Sequence, residues 1–298
     1  MKEKLIHFQT YLKEEIERVR GVYYPVPASF PRRVLTKHAS CMSLHPNPED
    51  EFCHPNIGPN YGIIGQYEED FKHNRANMAK ADFHTGGIRE PLMVQKASPD
   101  GYLILNGHHR WAAAFRVGIT RLKIKIVNLT RVEDVKNMLE NSKSDKRAVL
   151  DLDEVVFRSA DDPLLEKPLR FPLNRFYKER VRLGVPALLN FLNRHGYDIW
   201  VYTSRYCSVE YIRFFFKHWN VRLAGIVTGT ERKDAEWAGS REELKKLMDA
   251  RYHSTLHIDN SAVIRTFNGT GKFEEYPVDG TSEAWSRTVM DNIEKMKT

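Results

Sequence analysis

The stretch Ala148–Val156, AVLDLDEVV, decides how half of the chain is read. An apolar run reaches Asp151, skips one residue and sets a second carboxylate at Asp153. Burying a carboxylate is costly unless a partner or a metal neutralises it, so two acids ending an apolar strand point to chemistry. The residues downstream alternate between two periodicities. AVLDLD, DIWVYTS, LAGIVTG and STLHIDN read as strands. PALLNFLNRHG reads as a helix closed by Gly196, SVEYIRFFFKHW as a second, and SREELKKLMDARY as a third, opened by a capping box of Ser240 and Glu243. That alternation predicts a parallel sheet covered on both faces, with ligands at the carboxyl ends of its strands. Three of those strands end in polar groups: Asp151 with Asp153, Thr203 with Ser204, and Asp259 with Asn260. Hard oxygen ligands of this kind suit Mg²⁺ together with a substrate phosphate. An ionised aspartate can also attack phosphorus.

Residues 148–290 resemble the haloacid-dehalogenase superfamily of phosphatases and phosphotransferases. DLDEVV is similar to its first motif, VYTSR to its second and HIDNS to its fourth. The third motif is a lysine; Lys233, in the loop VTGTERKDAEW, fits it, with Lys245 and Lys246 inside the capped helix as alternatives. The resemblance implies that Asp151 is the nucleophile and Asp153 the general acid/base. Thr203 and Lys233 then hold the phosphoryl group, and Asp151, Asp259 and the main-chain carbonyl of Asp153 bind Mg²⁺. Between Asp153 and PALLNFL there is room only for a small cap. That insert is rich in base: Arg158, Lys167, Arg170, Arg175, Lys178, Arg180 and Arg182. These groups suit phosphates of a nucleic acid or nucleotide, or else pair with Asp161, Asp162, Glu166 and Glu179 at the surface.

The first half carries a second candidate site. PLMVQKASPDGYLILNGHHRWAAAFRVGITRLKIKIVNL reads as strand, turn, strand, helix, strand. A glycine turn entering a helix N-terminus is a ready anion site, and His108, His109 and Arg110 place side-chain donors there beside Gly107. NGHHRW resembles the ParB/sulfiredoxin fold, most closely its free serine kinase branch, with Asn106 where that branch has aspartate. The resemblance implies that this loop binds the phosphates of a nucleoside triphosphate or diphosphate. Sulfiredoxins carry a cysteine at the position of His108, which argues against that activity. Kinases of the branch use an upstream glutamate, for which Glu68 is the candidate and Glu90 a second.

The sequence thus predicts an α/β protein: an α+β ParB/sulfiredoxin-like nucleotide-binding and kinase-like domain over 1–145, and a Rossmann-like haloacid-dehalogenase phosphatase domain with a small cap over 146–298. The polar segment 141–147 marks the junction. The expected activity is that of a Mg²⁺-dependent phosphomonoester hydrolase. A kinase joined to a phosphatase resembles polynucleotide end-repair enzymes, which extends the expected partners to DNA or RNA ends. The rivals are a kinase/phosphatase of small molecules, amino acid or nucleoside, and a nucleic-acid-binding protein that only senses a nucleotide.

Composition sets the outer bounds. The chain has 298 residues, 41% hydrophobic and 29% charged, and a net charge of +7. The basic excess sits in residues 1–147, with 23 Lys+Arg against 17 Asp+Glu, which favours polyanionic or phosphate partners. The start of the chain reads as an amphipathic helix with Leu5, Phe8, Leu12, Ile16 and Val19 on one face, not as a signal peptide. Cys41, Cys53 and Cys207 form no disulfide pattern, and Cys41, His45, Cys53 and His54 fit no common zinc spacing. With no membrane span expected, a reducing, cytoplasmic setting follows.

Overall fold

The computed structural model describes residues 2–76, 90–232 and 235–296, and its internal packing divides the chain into two compact units, Met1–Asn128 and Leu129–Thr298.

Unit 1 opens with α1 (Lys2–Val19), whose apolar stripe is buried at Phe8, Leu12 and Val19. There follow β1 (Tyr24–Pro25), α2 (Phe30–Leu35), β2 (His38–Ser40), β3 (Leu44–His45) and α3 (Tyr61–Ala76). The expected strand–turn–strand–helix–strand run is present as β4 (Leu92–Ser98), β5 (Tyr102–Asn106), α4 (His108–Arg116) and β6 (Arg121–Ile126). The sheet order is β2-β6-β4-β5-β3, with β1 pairing β4. β4 lies parallel to β6 and antiparallel to β5. Trp111 and Ala112–Ala114 of α4 are fully buried, and the Trp111 indole donates to the Cys41 carbonyl at 3.1 Å. Such an apolar helix face is held by packing; its length alone would not sustain it.

Unit 2 contains α5 (Val132–Glu140), β7 (Lys146–Asp151), β8 (Phe157–Arg158), β9 (Arg180–Val181) and α6 (Val185–Arg194). It continues through β10 (Asp198–Thr203), α7 (Val209–Lys217), β11 (Gly225–Thr228), α8 (Ala235–Arg251) and β12 (Ser254–Ile258). β13 (Ala262–Phe267), β14 (Phe273–Pro277) and α9 (Trp285–Lys295) complete it. The sheet order is β11-β10-β7-β12-β13-β14. The first four are mutually parallel, and β13 and β14 add an antiparallel edge. Alternation along β7 sends Ala148 and Leu150 into a core with Leu188, Phe215 and Val289, from α6, α7 and α9. Trp200 and Val227 face the other way, against Val135 and Leu139 of α5 and Leu244 of α8. Helices therefore cover both faces, as a parallel sheet requires.

Three sequence expectations change. The compact units divide at Asn128/Leu129, ahead of the 142–147 junction read from the sequence, because α5 packs on α8 and β11. Helix α8 starts at Ala235, which puts Ser240 and Glu243 inside it. The burial of Trp237, with Arg232 stacked 3.8 Å from its ring centre, favours the longer helix. The hairpin strands β13 and β14 were not anticipated. Among the described residues, no helix is long and apolar enough to cross a membrane.

Candidate functional site

In unit 2 the register of the parallel strands assembles the site. β7 pairs Tyr202 with Asp151 on one side and Ile258 with Leu150 on the other. Thr203 and Asp259 therefore follow at the ends of the two strands flanking Asp151. The chain order reverses direction on either side of β7, the kind of switch point where ligands bind in open α/β sheets.

A single π-type turn, Leu152–Val156, follows Asp151. Oδ1 of Asp151 accepts from the main-chain N–H groups of Asp153 (2.6 Å) and Glu154 (3.0 Å), so the carboxylate is oriented by its own turn. Oδ2 takes no part in those two bonds. Oδ2 of Asp153 accepts from the Thr203 hydroxyl (2.8 Å), the Ser204 N–H (2.9 Å) and the Ser204 hydroxyl (3.1 Å). Its other oxygen, Oδ1, lies 2.6 Å from Nε of Arg205 in an ion pair. As placed, the Thr203 hydroxyl is engaged by Asp153, whereas the sequence reading gave it to the phosphoryl group. Asp259 is exposed, and its Oδ1 accepts from the Asn260 N–H.

Asn260 connects the acid-bearing turn to the end of β12. Its side-chain N–H donates to the Glu154 carbonyl at 3.0 Å. Its oxygen accepts from both Arg158 (2.7 Å) and Arg182 (2.8 Å), and its carbonyl accepts from the Trp285 indole. Arg182 is buried against the Trp285 ring; burial, with the neighbouring Arg158 charge adding to it, pulls its guanidinium down to about 10. These two arginines therefore brace the site, and two of the seven cap bases are not free to grip a polyanion. Sequence reasoning passed over Arg205 and the linking role of Asn260; the only signal was that each adjoins a motif residue.

Lys233 lies outside the described residues. Lys245 lines a cavity of about 340 Å³ between α8 and the sheet, together with Val149, Tyr202 and His257; Asp151 and Asp153 do not line it. Among the described residues, no group of three or more His, Cys, Asp or Glu side chains is placed to hold a metal ion. Cys41 and Cys53 are buried, and burial pushes both thiols up to about 12. The Cys41 thiol donates to the Ile119 carbonyl.

In unit 1, Gly107 turns the chain into α4 with φ of 103°, and a Cβ there would meet Cγ of Leu92 at 2.9 Å. Only glycine suits this turn. The side chains that follow are engaged within unit 1. Nε2 of His108 accepts from the Asn47 N–H (3.2 Å), and Nε2 of His109 from the Asn60 N–H (3.1 Å). The proton of each neutral ring is therefore on Nδ1. Burial lowers both rings, opposed by Asp50, and carries His108 down to about 4. Phe52 stacks on His108 and meets His109 edge-on. The two histidines thus tether the 47–60 loop, and burial favours their neutral forms.

Arg110 donates to the Glu90 carbonyl (2.9 Å) and the Asn106 side chain (3.3 Å), and pairs with the Glu90 carboxylate at 3.1 Å. Glu68 pairs with Arg116 at 2.7 Å. Arg116 ends α4, about 9 Å along the axis from Arg110. Glu68 is thus anchored at the end of α4 away from the Gly107 turn. What the turn offers an anion is its main-chain N–H groups and the helix dipole.

Residues 66–142 match the family model of the ParB N-terminal domain. The ParB-like segment covers β4, β5, α4 and β6, including Gly107–Arg110, and runs on through α5. It thus supports the ParB part of the sequence reading and crosses the boundary between the structural units. No curated protein matches the chain.

Proposed function

We propose that unit 2 is a Mg²⁺-dependent phosphomonoester hydrolase of the haloacid-dehalogenase type, with Asp151 as nucleophile. The observation that carries this reading is the placement of Asp151, Asp153, Thr203 and Asp259 at the carboxyl ends of three adjacent parallel strands. The donor chemistry there fits a hard divalent cation: carboxylates of Asp151 and Asp259 on neighbouring strands, with the main-chain carbonyl of Asp153. When bound, Mg²⁺ neutralises charge on the phosphoryl oxygens.

The side chains divide the remaining work. A carboxylate oxygen of Asp151 bonds to phosphorus as the bond to the ester oxygen breaks. Asp153, in its acid form, gives its proton to the departing oxygen. Water then attacks the phosphorus of the aspartyl-phosphate, releasing Asp151, and Asp153 takes a proton from that water. Arg205 adds positive charge beside the acid pair, where phosphoryl transfer needs it.

For unit 1 the ParB match and the Gly107 turn support nucleotide binding. The pairing of Glu68 with Arg116 favours binding without phosphoryl transfer by Glu68. The deciding experiment for unit 2 is hydrolysis of p-nitrophenyl phosphate with Mg²⁺. Asp151→Asn is expected to abolish phosphate release in a protein that melts as the parent does; undiminished turnover would remove Asp151 as nucleophile.

A further inference from the structure

The cap segment between β8 and β9 turns two aromatic rings outward. Phe171 and Phe176 are each 69% exposed, an uncommon disposition for large apolar side chains. Their exposure is built into the segment. Tyr177, next to Phe176, packs inward against Tyr211 and Phe215 of α7, at centroid distances of 4.9 and 5.5 Å. The Tyr211 hydroxyl donates to the Glu179 carboxylate (2.6 Å) and lies 3.3 Å from the Phe176 carbonyl. A 3-10 turn at Leu173–Arg175 separates the two rings, and the Arg175 guanidinium sits 4.9 Å from the Phe171 ring centre.

Along the run of sequence that carries the rings the charge has one sign. Residues 167–178, KPLRFPLNRFYK, carry Lys167, Arg170, Arg175 and Lys178 and no acid, and all four cations are exposed. The two carboxylates that flank this run are hydrogen-bonded: Glu166 accepts from the Gly184 N–H and Glu179 from the Tyr211 hydroxyl. Aromatic faces interleaved with cations match unstacked bases joined by phosphates. A duplex keeps its base faces covered, and Arg175 over the Phe171 face disfavours burial of that ring in a lipid interior.

We propose that segment 159–179 is a platform for single-stranded nucleic acid, with bases stacking on Phe171 and Phe176 and phosphates held by Arg170, Arg175 and Lys178. This deepens the reading of unit 2 by naming its substrate class: a terminal phosphomonoester on a single strand, delivered to Asp151 by the segment that follows the acid pair. The strand-binding claim does not depend on turnover, so it is tested without a phosphate to release.

The test is fluorescence anisotropy of a labelled oligothymidylate with no terminal phosphate, titrated with the full chain at several salt concentrations. Phe171→Ala with Phe176→Ala should weaken binding about tenfold or more and leave the salt slope unchanged. Arg170→Ala with Arg175→Ala should make the slope shallower by about 0.7 per charge removed. Because both rings are exposed, the melting temperature of the double phenylalanine variant serves as the folding control. No oligonucleotide binding by the parent protein, or binding unaltered in the phenylalanine variant, would overturn the proposal. So would a parent protein that binds phosphatidylserine vesicles through these two residues while its oligonucleotide affinity ignores them. Binding as expected alongside an Asp151→Asn variant that still hydrolyses p-nitrophenyl phosphate would keep the platform and remove the nucleophile assignment.

Discussion

Nε of Arg205 stands 2.6 Å from Oδ1 of Asp153, at the end of the strand beside the one that carries the acid pair. The guanidinium is half exposed, so the pair contributes at most about 1 kcal/mol to stability. On the proposed reading of unit 2, the pair places a cation where a phosphoryl group would meet Asp151. Arg205→Ala should therefore slow p-nitrophenyl phosphate hydrolysis on the order of 10²-fold while shifting the melting temperature little. Arg205→Lys should recover part of the loss, having the charge without the planar fork. A rate for Arg205→Ala within about twofold of the parent would make this ion pair a surface feature.

His108 gives unit 1 a defined response to acid. Burial favours its neutral ring, so the folded state holds the proton less tightly than the unfolded chain does. The unfolded chain thus binds more protons between the ordinary histidine value of about 6.5 and the folded value of about 4. The associated stability is fully present above the upper limit and is lost as pH falls toward the lower one. Its size is on the order of 3 kcal/mol, and His109 shifts in the same direction. Denaturant melts between pH 7 and pH 4.5 should show the parent losing stability more steeply than His108→Asn, which is less stable at pH 7. Parallel curves would mean that His108 titrates alike in both states.

The pattern of what was legible has physical causes. Helices such as Val185–Arg194 show their period because one face is buried, and strands such as Asp198–Thr203 read as apolar runs because both faces are. Strand Phe273–Pro277 alternates between exposed and half-buried residues and is held by pairing to β13, so its own residues announce little. The polar run before β7 looks like a domain junction, yet it only connects α5 to the sheet of the same unit; packing against α8 and β11 decides that, and it is a long-range property. The ends of β7, β10 and β12 were readable because acids and hydroxyls are conspicuous at the end of apolar runs. The roles of His108 and His109 were not, since the N–H groups that fix them lie 61 and 49 residues away.

The Glu68–Arg116 pair joins α3 to the end of α4, with both side chains mostly buried. Removing either partner leaves a poorly solvated charge. Glu68→Gln and Arg116→Met should each cost roughly 1–3 kcal/mol. The double variant should cost less than their sum, because the two share one interaction. Nucleotide affinity, measured by calorimetry on the folded protein, should be nearly unchanged in Glu68→Gln. A selective collapse of phosphoryl transfer from a nucleoside triphosphate, with stability intact, would instead restore Glu68 as a catalytic base.

The turn at Gly107 and the carboxylate of Asp151 sit in different compact units, so their functions should separate. Arg110 is buried, and its contacts to Glu90 and Asn106 shape the turn that presents the α4 N-terminus. Arg110→Ala should weaken binding of a nucleoside diphosphate by roughly 1.5–3 kcal/mol, the scale of losing the charged hydrogen bonds that hold the turn in shape. Hydrolysis of p-nitrophenyl phosphate should remain near the parent rate. Asp151→Asn should show the opposite pair of results. Gly107→Ala provides an independent check, since its Cβ would crowd Leu92 and its φ is strained for any L-residue, yet it changes no charge. It too should reduce nucleotide binding and spare ester hydrolysis. If Arg110→Ala and Gly107→Ala both silence hydrolysis in protein whose unit 2 still melts normally, the two sites act as one, and nucleotide binding at the turn becomes a condition for chemistry at Asp151.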